Sequence, residues 1–147
     1  VKIAVLNGPN LNLVGTREPH IYGRNSLPDI ELTLRGRASE RGVEILWHQT
    51  NHEGEFVELI QRLAGSVDGA LINAAALTHT SLAVRDSLLA VDLKFVEIHL
   101  SNIFAREEER RRSLLADLAI GVIAGFGAQS YLLGLDALLS HLESCNN

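Results

Sequence analysis

KIAVLNGPNLNLVGTREPHIYG, residues 2–23, opens on a short apolar run, Lys2 to Leu6, and then abandons every regular period. A run of that length, rich in β-branched residues and closed by Asn-Gly-Pro, reads as a buried strand; a helix would need roughly ten residues or more. The stretch from Asn7 to Gly23 is longer than ordinary connections, since loops beyond about 12–15 residues are uncommon in compact domains and are usually functional or disordered. Leu11, Leu13, Val14, Ile21 and Tyr22 give it apolar surface to dock with, and Gly8, Pro9, Gly15, Pro19 and Gly23 punctuate it. An irregular surface loop is the plainer reading and an ordered working loop the other, so the rest of the chain has to decide.

Outward from Leu6 the strand-then-polar pattern recurs. Short apolar runs at Val43 to His48, Gly69 to Asn73, Lys94 to His99 and Gly121 to Ala124 alternate with stretches of helical period. Ser26 is placed to cap a helix running to Gly42, with Pro28 in its first turn and Leu27, Ile30, Leu34 and Ala38 on one face. Further helices are expected over Glu55 to Leu63, Ser81 to Ala90, Arg106 to Leu115 and Ala128 to Leu142. This alternation predicts βαβ units on a five-stranded parallel sheet covered on both faces, a flavodoxin-like three-layer α/β sandwich.

The totals narrow the function. With 147 residues, 46% of them hydrophobic, residues 1–147 are expected to form a single domain with one core. A formal charge of −5 argues against a nucleic-acid partner. No apolar run approaches the ~18 residues of a membrane span, and the N-terminal apolar run is too short for a signal peptide, so a cytoplasmic protein is expected. Cys145 stands alone, and Lys2 and Lys94 are the only lysines, which leaves no disulfide framework and almost no candidate for Schiff-base chemistry.

Sheets of this kind bind ligands beyond the carboxyl ends of their strands, and those ends are polar here. Asn7 and Asn10 follow the first strand; Asn73, then Thr78, His79, Thr80 and Ser81, the third; Glu97, His99, Ser101 and Asn102 the fourth. A phosphoacceptor receiver would need acidic residues after the first and third strands and a lysine after the fifth; Asn7, Asn73 and Gly125 stand there instead. NGPNLNLVGT is too poor in hydroxyls to cradle a flavin phosphate. His79 and His99 show no metal-ligand spacing, and Ser81 reads as a helix cap for the Ser81–Ala90 segment, not as a triad nucleophile with His79 and Asp86. Two pairings are more coherent. Tyr22 lies five residues from Arg17, whose guanidinium favours a phenolate that would serve as a base. Residues 97 and 99 face the same way along a strand, so the Glu97 carboxylate can orient the His99 ring as a general acid, although a lone strand histidine is ordinarily a core residue. On the expected Arg106–Leu115 helix, Arg106 and Arg110 would share one side and suit a carboxylate substrate.

These residues resemble one family. NGPNLNLVGTREPHIYG, QTNHEGEFVELI, INAAALTHTSLAVRD, VEIHLSNIFAREEERRRS and GVIAGFGAQSYLLGL, in that order, are similar to the motifs of the type II dehydroquinases. The resemblance implies a metal-free, cofactor-free anti dehydration of 3-dehydroquinate to 3-dehydroshikimate through an enolate, in the shikimate or quinate pathway. It implies Tyr22 as base, Arg17 as the neighbour that keeps it ionised, Asn10 as enolate stabiliser through a water, His99 as general acid and Glu97 as its partner. Asn73, His79, Ser101 and Arg110, together with the amides of Leu100 and Ser101, match positions that hold the substrate's hydroxyls and carboxylate, Arg106 matches a second, loop-closing arginine of the substrate site, and residues 15–24 match an active-site lid. Asp86 matches a carboxylate that enters a neighbouring subunit's site within a trimer, four trimers forming a homododecamer. The sequence departs from the common pattern at Ala74 and Ala75, where proline or glycine is frequent, at Leu77, where an aromatic is, and at Arg112 and Leu114, which replace a histidine and a tyrosine.

Overall fold

A computed structural model of the chain describes residues 1–15 and 25–147. Arg17, Tyr22 and nearly all of the expected lid lie outside the described residues. The regular elements are β1 (Lys2–Asn7), α1 (Leu27–Glu40), β2 (Glu44–Gln49), α2 (Glu53–Leu63), β3 (Gly69–Asn73), α3 (Leu77–Thr80), α4 (Leu82–Ala90), β4 (Phe95–His99), β5 (Gly121–Ala124) and α5 (Gln129–Cys145). The expected strands all form, with ends within a residue of those read from the sequence.

The sheet is wholly parallel with strand order β2-β1-β3-β4-β5, so the chain reverses its winding between β1 and β3. Register sets Asn7 level with Asn73 across that switch point. Side-chain alternation then divides the core. Ile3, Val5, Leu71, Val96 and Ile98 point to the face covered by α1 and α5, and Ala4, Leu6, Ala70, Ile72 and Phe95 to the face covered by α2 and α4. Local signals place the helices on these faces. Ser26 and Asp29 form a reciprocal capping box, with Asp29 N–H donating to Ser26 Oγ at 3.3 Å and Ser26 N–H to Asp29 Oδ2 at 3.1 Å. The buried stripe of α1 is Leu27, Ile30, Leu34 and Ala38, as its period required. Ser81 is the cap it was read to be, its Oγ accepting from Val84 N–H at 2.9 Å.

One element differs. The helix expected over Arg106 to Leu115 is absent; two 3-10 turns, Ile103–Ala105 and Glu108–Arg110, occupy an otherwise irregular path from β4 to β5. The reason is in the residues: Arg106 to Ser113 contain no apolar side chain, so a helix there would have had no stripe to bury. Ile103 and Leu115 are buried instead and pin the segment at its two ends, Leu115 packing on the α2/α4 face. The premise that Arg106 and Arg110 share a helix side is therefore wrong. His79 likewise sits on the separate one-turn α3, so no continuous helix links it to Asp86 on α4.

The switch point is closed tightly. Gly8 N–H donates to Asn73 O at 2.8 Å, and a Cβ at Gly8 would lie 2.3 Å from Ala74 O, a backbone atom that cannot step aside. Gly8→Ala is expected to lower stability by about 2–3 kcal/mol, the scale of forced backbone shifts in a packed interior. Urea unfolding measures this, and a change below ~0.5 kcal/mol would show that the two strand ends are not held together.

Candidate active site

A cavity of about 410 Å³ opens at the carboxyl ends of β1, β3 and β4. Asn10, Asn73, His79, His99, Leu100, Ser101, Arg106 and Arg110 all line it, although they come from four separate stretches of chain. Glu97 lies behind His99, fully buried, and Asp86 is exposed on α4 away from the cavity. Arg106 and Arg110 reach the wall through the turns after β4, and Arg110 Nε is paired with Glu107 Oε1.

Asn10 is held by its backbone. It adopts a left-handed conformation, φ 71°, which asparagine tolerates better than most residues. Its N–H donates to Asn51 Oδ1 at 2.9 Å, and Gln49 Nε2 donates to that same oxygen at 3.0 Å and to Gly8 O at 3.3 Å. The first part of the long loop is thus tied to the end of β2, which leaves the Asn10 side chain at the cavity.

Asn73 is held by its side chain. The buried Tyr131 hydroxyl accepts from Asn73 Nδ2 at 2.9 Å and donates to Asn7 Oδ1 at 2.6 Å, while Asn7 Nδ2 donates to His48 O at 3.1 Å. Burial pushes the Tyr131 phenol well above its ordinary value, so it stays neutral and can both give and take. Asn73 Oδ1 accepts from Ala75 N–H at 3.2 Å, and Ala75 is left-handed with φ 53°. An alanine there carries about 1–2 kcal/mol of strain that a glycine would not.

The two histidines stack, ring centroids 6.3 Å apart and planes 20° from parallel. His79 Nδ1 donates to Arg112 O at 2.7 Å; a carbonyl only accepts, so Nδ1 carries the proton. Burial lowers the His79 pKa, with His99 and Arg110 adding to the effect against the Arg112 carbonyl and Glu97. A neutral ring with Nδ1 protonated presents Nε2 as an acceptor for a hydroxyl. His99 Nε2 lies 2.9 Å from Glu97 Oε2, so the same-face reading of the strand holds in three dimensions. Glu97 Oε1 accepts from Ser113 Oγ at 2.6 Å.

Sequence reasoning did not find Tyr131, Ser113, Gln49 or Asn51 as parts of this arrangement. Tyr131 offered a faint signal, because a phenol inside an apolar helical stripe needs a partner. Ser113 offered none, since it lies in a polar run with no period. Among the described residues, no group of three or more His, Cys, Asp or Glu side chains is placed to hold a metal ion, and no helix is long and apolar enough to cross a membrane.

A flavodoxin-like sheet with a polar cavity at its switch point, walled by two arginines and by an imidazole backed by a buried carboxylate, defines a small-molecule enzyme of the α/β class. The sequence model of the family described as dehydroquinase class II matches residues 1–139, and the chain belongs to that family. The 3-dehydroquinate dehydratase of Synechococcus sp. (strain WH7803) is 56% identical over 143 residues, 97% of each chain. That of Carboxydothermus hydrogenoformans is 55% identical over 147 residues, covering 100% of this chain and 96% of its own. The crystal structure of type II dehydroquinase from Butyrivibrio crossotus superposes with a TM-score of 0.92 at 38% identity, over 95% of this chain and 97% of that one.

Tyr131→Phe would leave the Asn7 and Asn73 amides short of a partner and is expected to cost about 1–3 kcal/mol in urea unfolding. Ala75→Gly is expected to add about 1 kcal/mol by releasing the left-handed strain. Loss of stability in Ala75→Gly would contradict the strained conformation.

Proposed function

We propose that the chain dehydrates 3-dehydroquinate to 3-dehydroshikimate by the enolate route of its family, without metal or organic cofactor, as a single catalytic domain. Tyr22, kept ionised by Arg17, takes the proton from the carbon beside the ketone. The resulting enolate oxygen is stabilised through Asn10 and a bound water. The carbon–oxygen bond to the departing hydroxyl then breaks, His99 supplies its proton, and water leaves with formation of the conjugated enone. Asn73 and the neutral His79 ring receive the substrate hydroxyls, and Arg110, Arg106 and the amides of Leu100 and Ser101 receive its carboxylate, for which a guanidinium fork is suited. Residues 15–24 close over the cavity to exclude water. The observation that carries the chemistry is the buried Glu97–His99 hydrogen bond of 2.9 Å at the cavity wall.

The same reading extends to assembly. The cavity continues into an open groove of mixed charge at the site's own rim, lined by Ala76, His79, Thr80, Glu107, Glu108, Glu109, Arg110 and Arg112. Asp86, exposed and remote from its own cavity, would reach an arginine of that opening, Arg110 or Arg112, on a neighbouring subunit. The chain forms trimers, four of them making a homododecamer, and works in the cytoplasm.

Adding 3-dehydroquinate should raise the near-ultraviolet absorbance of the enone product; no change at high enzyme concentration would reject the assignment. Tyr22→Phe is expected to lower turnover at least ~10²-fold, the scale of a lost general base. Co-refolded Asp86→Asn and Tyr22→Phe chains should recover activity that neither has alone, whereas a fully active monomer by light scattering would contradict completion of the site in trans.

A further inference from the structure

Three contacts meet at Ser113 Oγ. The backbone N–H groups of Leu115 and Ala116 each donate to it at 3.0 Å. A hydroxyl has two acceptor positions and one proton, and an amide N–H can only donate, so both acceptor positions are taken. The remaining proton points at Glu97 Oε1, 2.6 Å away. We propose that Ser113 is a positioning residue for proton donation, holding the Glu97 carboxylate as an acceptor so that His99 must keep a proton on Nε2 and offer the leaving group the one on Nδ1.

The direction of these hydrogen bonds is what sets the inference apart from a generic contact. With Oε1 occupied by a charge-assisted bond, Oε2 is the oxygen that faces His99 Nε2 at 2.9 Å. An ionised carboxylate with almost no solvent exposure needs donors from within the protein, and Ser113 and His99 are the two it has in the described residues. Ser113 is itself anchored. Leu114 N–H donates to Thr78 O at 2.9 Å, and Arg85 Nη1 donates to Leu114 O at 2.8 Å while pairing with Asp117. The turn that replaces the expected helix therefore delivers one hydroxyl to one carboxylate oxygen. Around the pair stand His79 on α3 and Arg106, Glu107 and Arg110 after β4, with Arg85, Asp86 and Asp117 farther out; β3 and β5, flanking β4, carry no ionisable side chain.

The Ser113 proton is worth more to the pair when its net charge is −1 than when the ring has taken up a proton and the pair is neutral. Removing it favours proton uptake, whichever partner holds the proton. This inference rests on His99 being the proton donor of the reaction, and the test separates the two. The ring titration of His99 is followed by NMR in isotope-labelled protein, its signal assigned by its loss in His99→Ala. In Ser113→Ala the midpoint should move up by about half a pH unit or more, and Ser113→Thr should restore it. Turnover should fall about tenfold in Ser113→Ala with KM within about twofold, the effect of one charge-assisted bond on a step after binding. If Ser113→Ala does not fold, Ser113→Cys, a weaker donor, should shift the midpoint the same way. An unmoved midpoint in a folded variant overturns the role of Ser113. Undiminished turnover in His99→Ala, with the Ser113→Ala shift present, would instead remove the reading on which the role depends.

Discussion

A carboxylate without solvent exposure is the constraint from which the site is built. Glu97 lies on the α2/α4 face of β4, where its neighbours Phe95 and Leu115 are core residues. Burying a charge there is unfavourable unless hydrogen bonds meet it. His99 meets one oxygen because strand alternation returns it to the same face two residues on. Ser113 meets the other, which requires the chain after β4 to fold back as a turn and not run away as a helix. That path in turn carries Arg106 and Arg110 to the cavity wall and presents the Arg112 carbonyl to His79. One buried charge thus fixes the imidazole of β4, the course of the segment after it and the tautomer of a second histidine.

The opposite wall follows the same logic with neutral groups. Register brings Asn7 and Asn73 level at the switch point, where Asn7 Oδ1 and Asn73 Nδ2 still need a donor and an acceptor. Tyr131 on α5 supplies the missing donor and acceptor. The amide of Asn73 is then oriented by Tyr131 on one side and by the strained Ala75 N–H on the other. Strain of this kind is kept where surrounding structure over-determines it, and here it lies beside a working cavity.

Much of this was legible in the sequence. Strand positions, the buried face of α1 and the Glu97–His99 pairing all follow from periods of two and 3.6, which local sterics enforce regardless of context. The family motifs reach further, to residues such as Asn10 and Arg110 whose convergence no period reveals. Segment 106–115 is where the sequence misleads: its charge pairs stand at helical spacing, yet no apolar side chain from Arg106 to Ser113 holds a helix there. Tyr131 and Ser113 were out of reach because their partners lie 58 and 16 residues away in sequence, and only folding sets those distances.

In the proposed reaction the Glu97–His99 pair delivers the proton that lets the hydroxyl leave, after a separate group has already removed the proton beside the ketone. Incubating His99→Ala with 3-dehydroquinate in heavy water, and following deuterium at that carbon by NMR, tests it directly. Deuterium washing into the unreacted substrate while enone formation falls at least ~10²-fold is the result expected when proton abstraction survives and departure stalls. Enone formation at the wild-type rate would contradict it and leave His99 a structural residue.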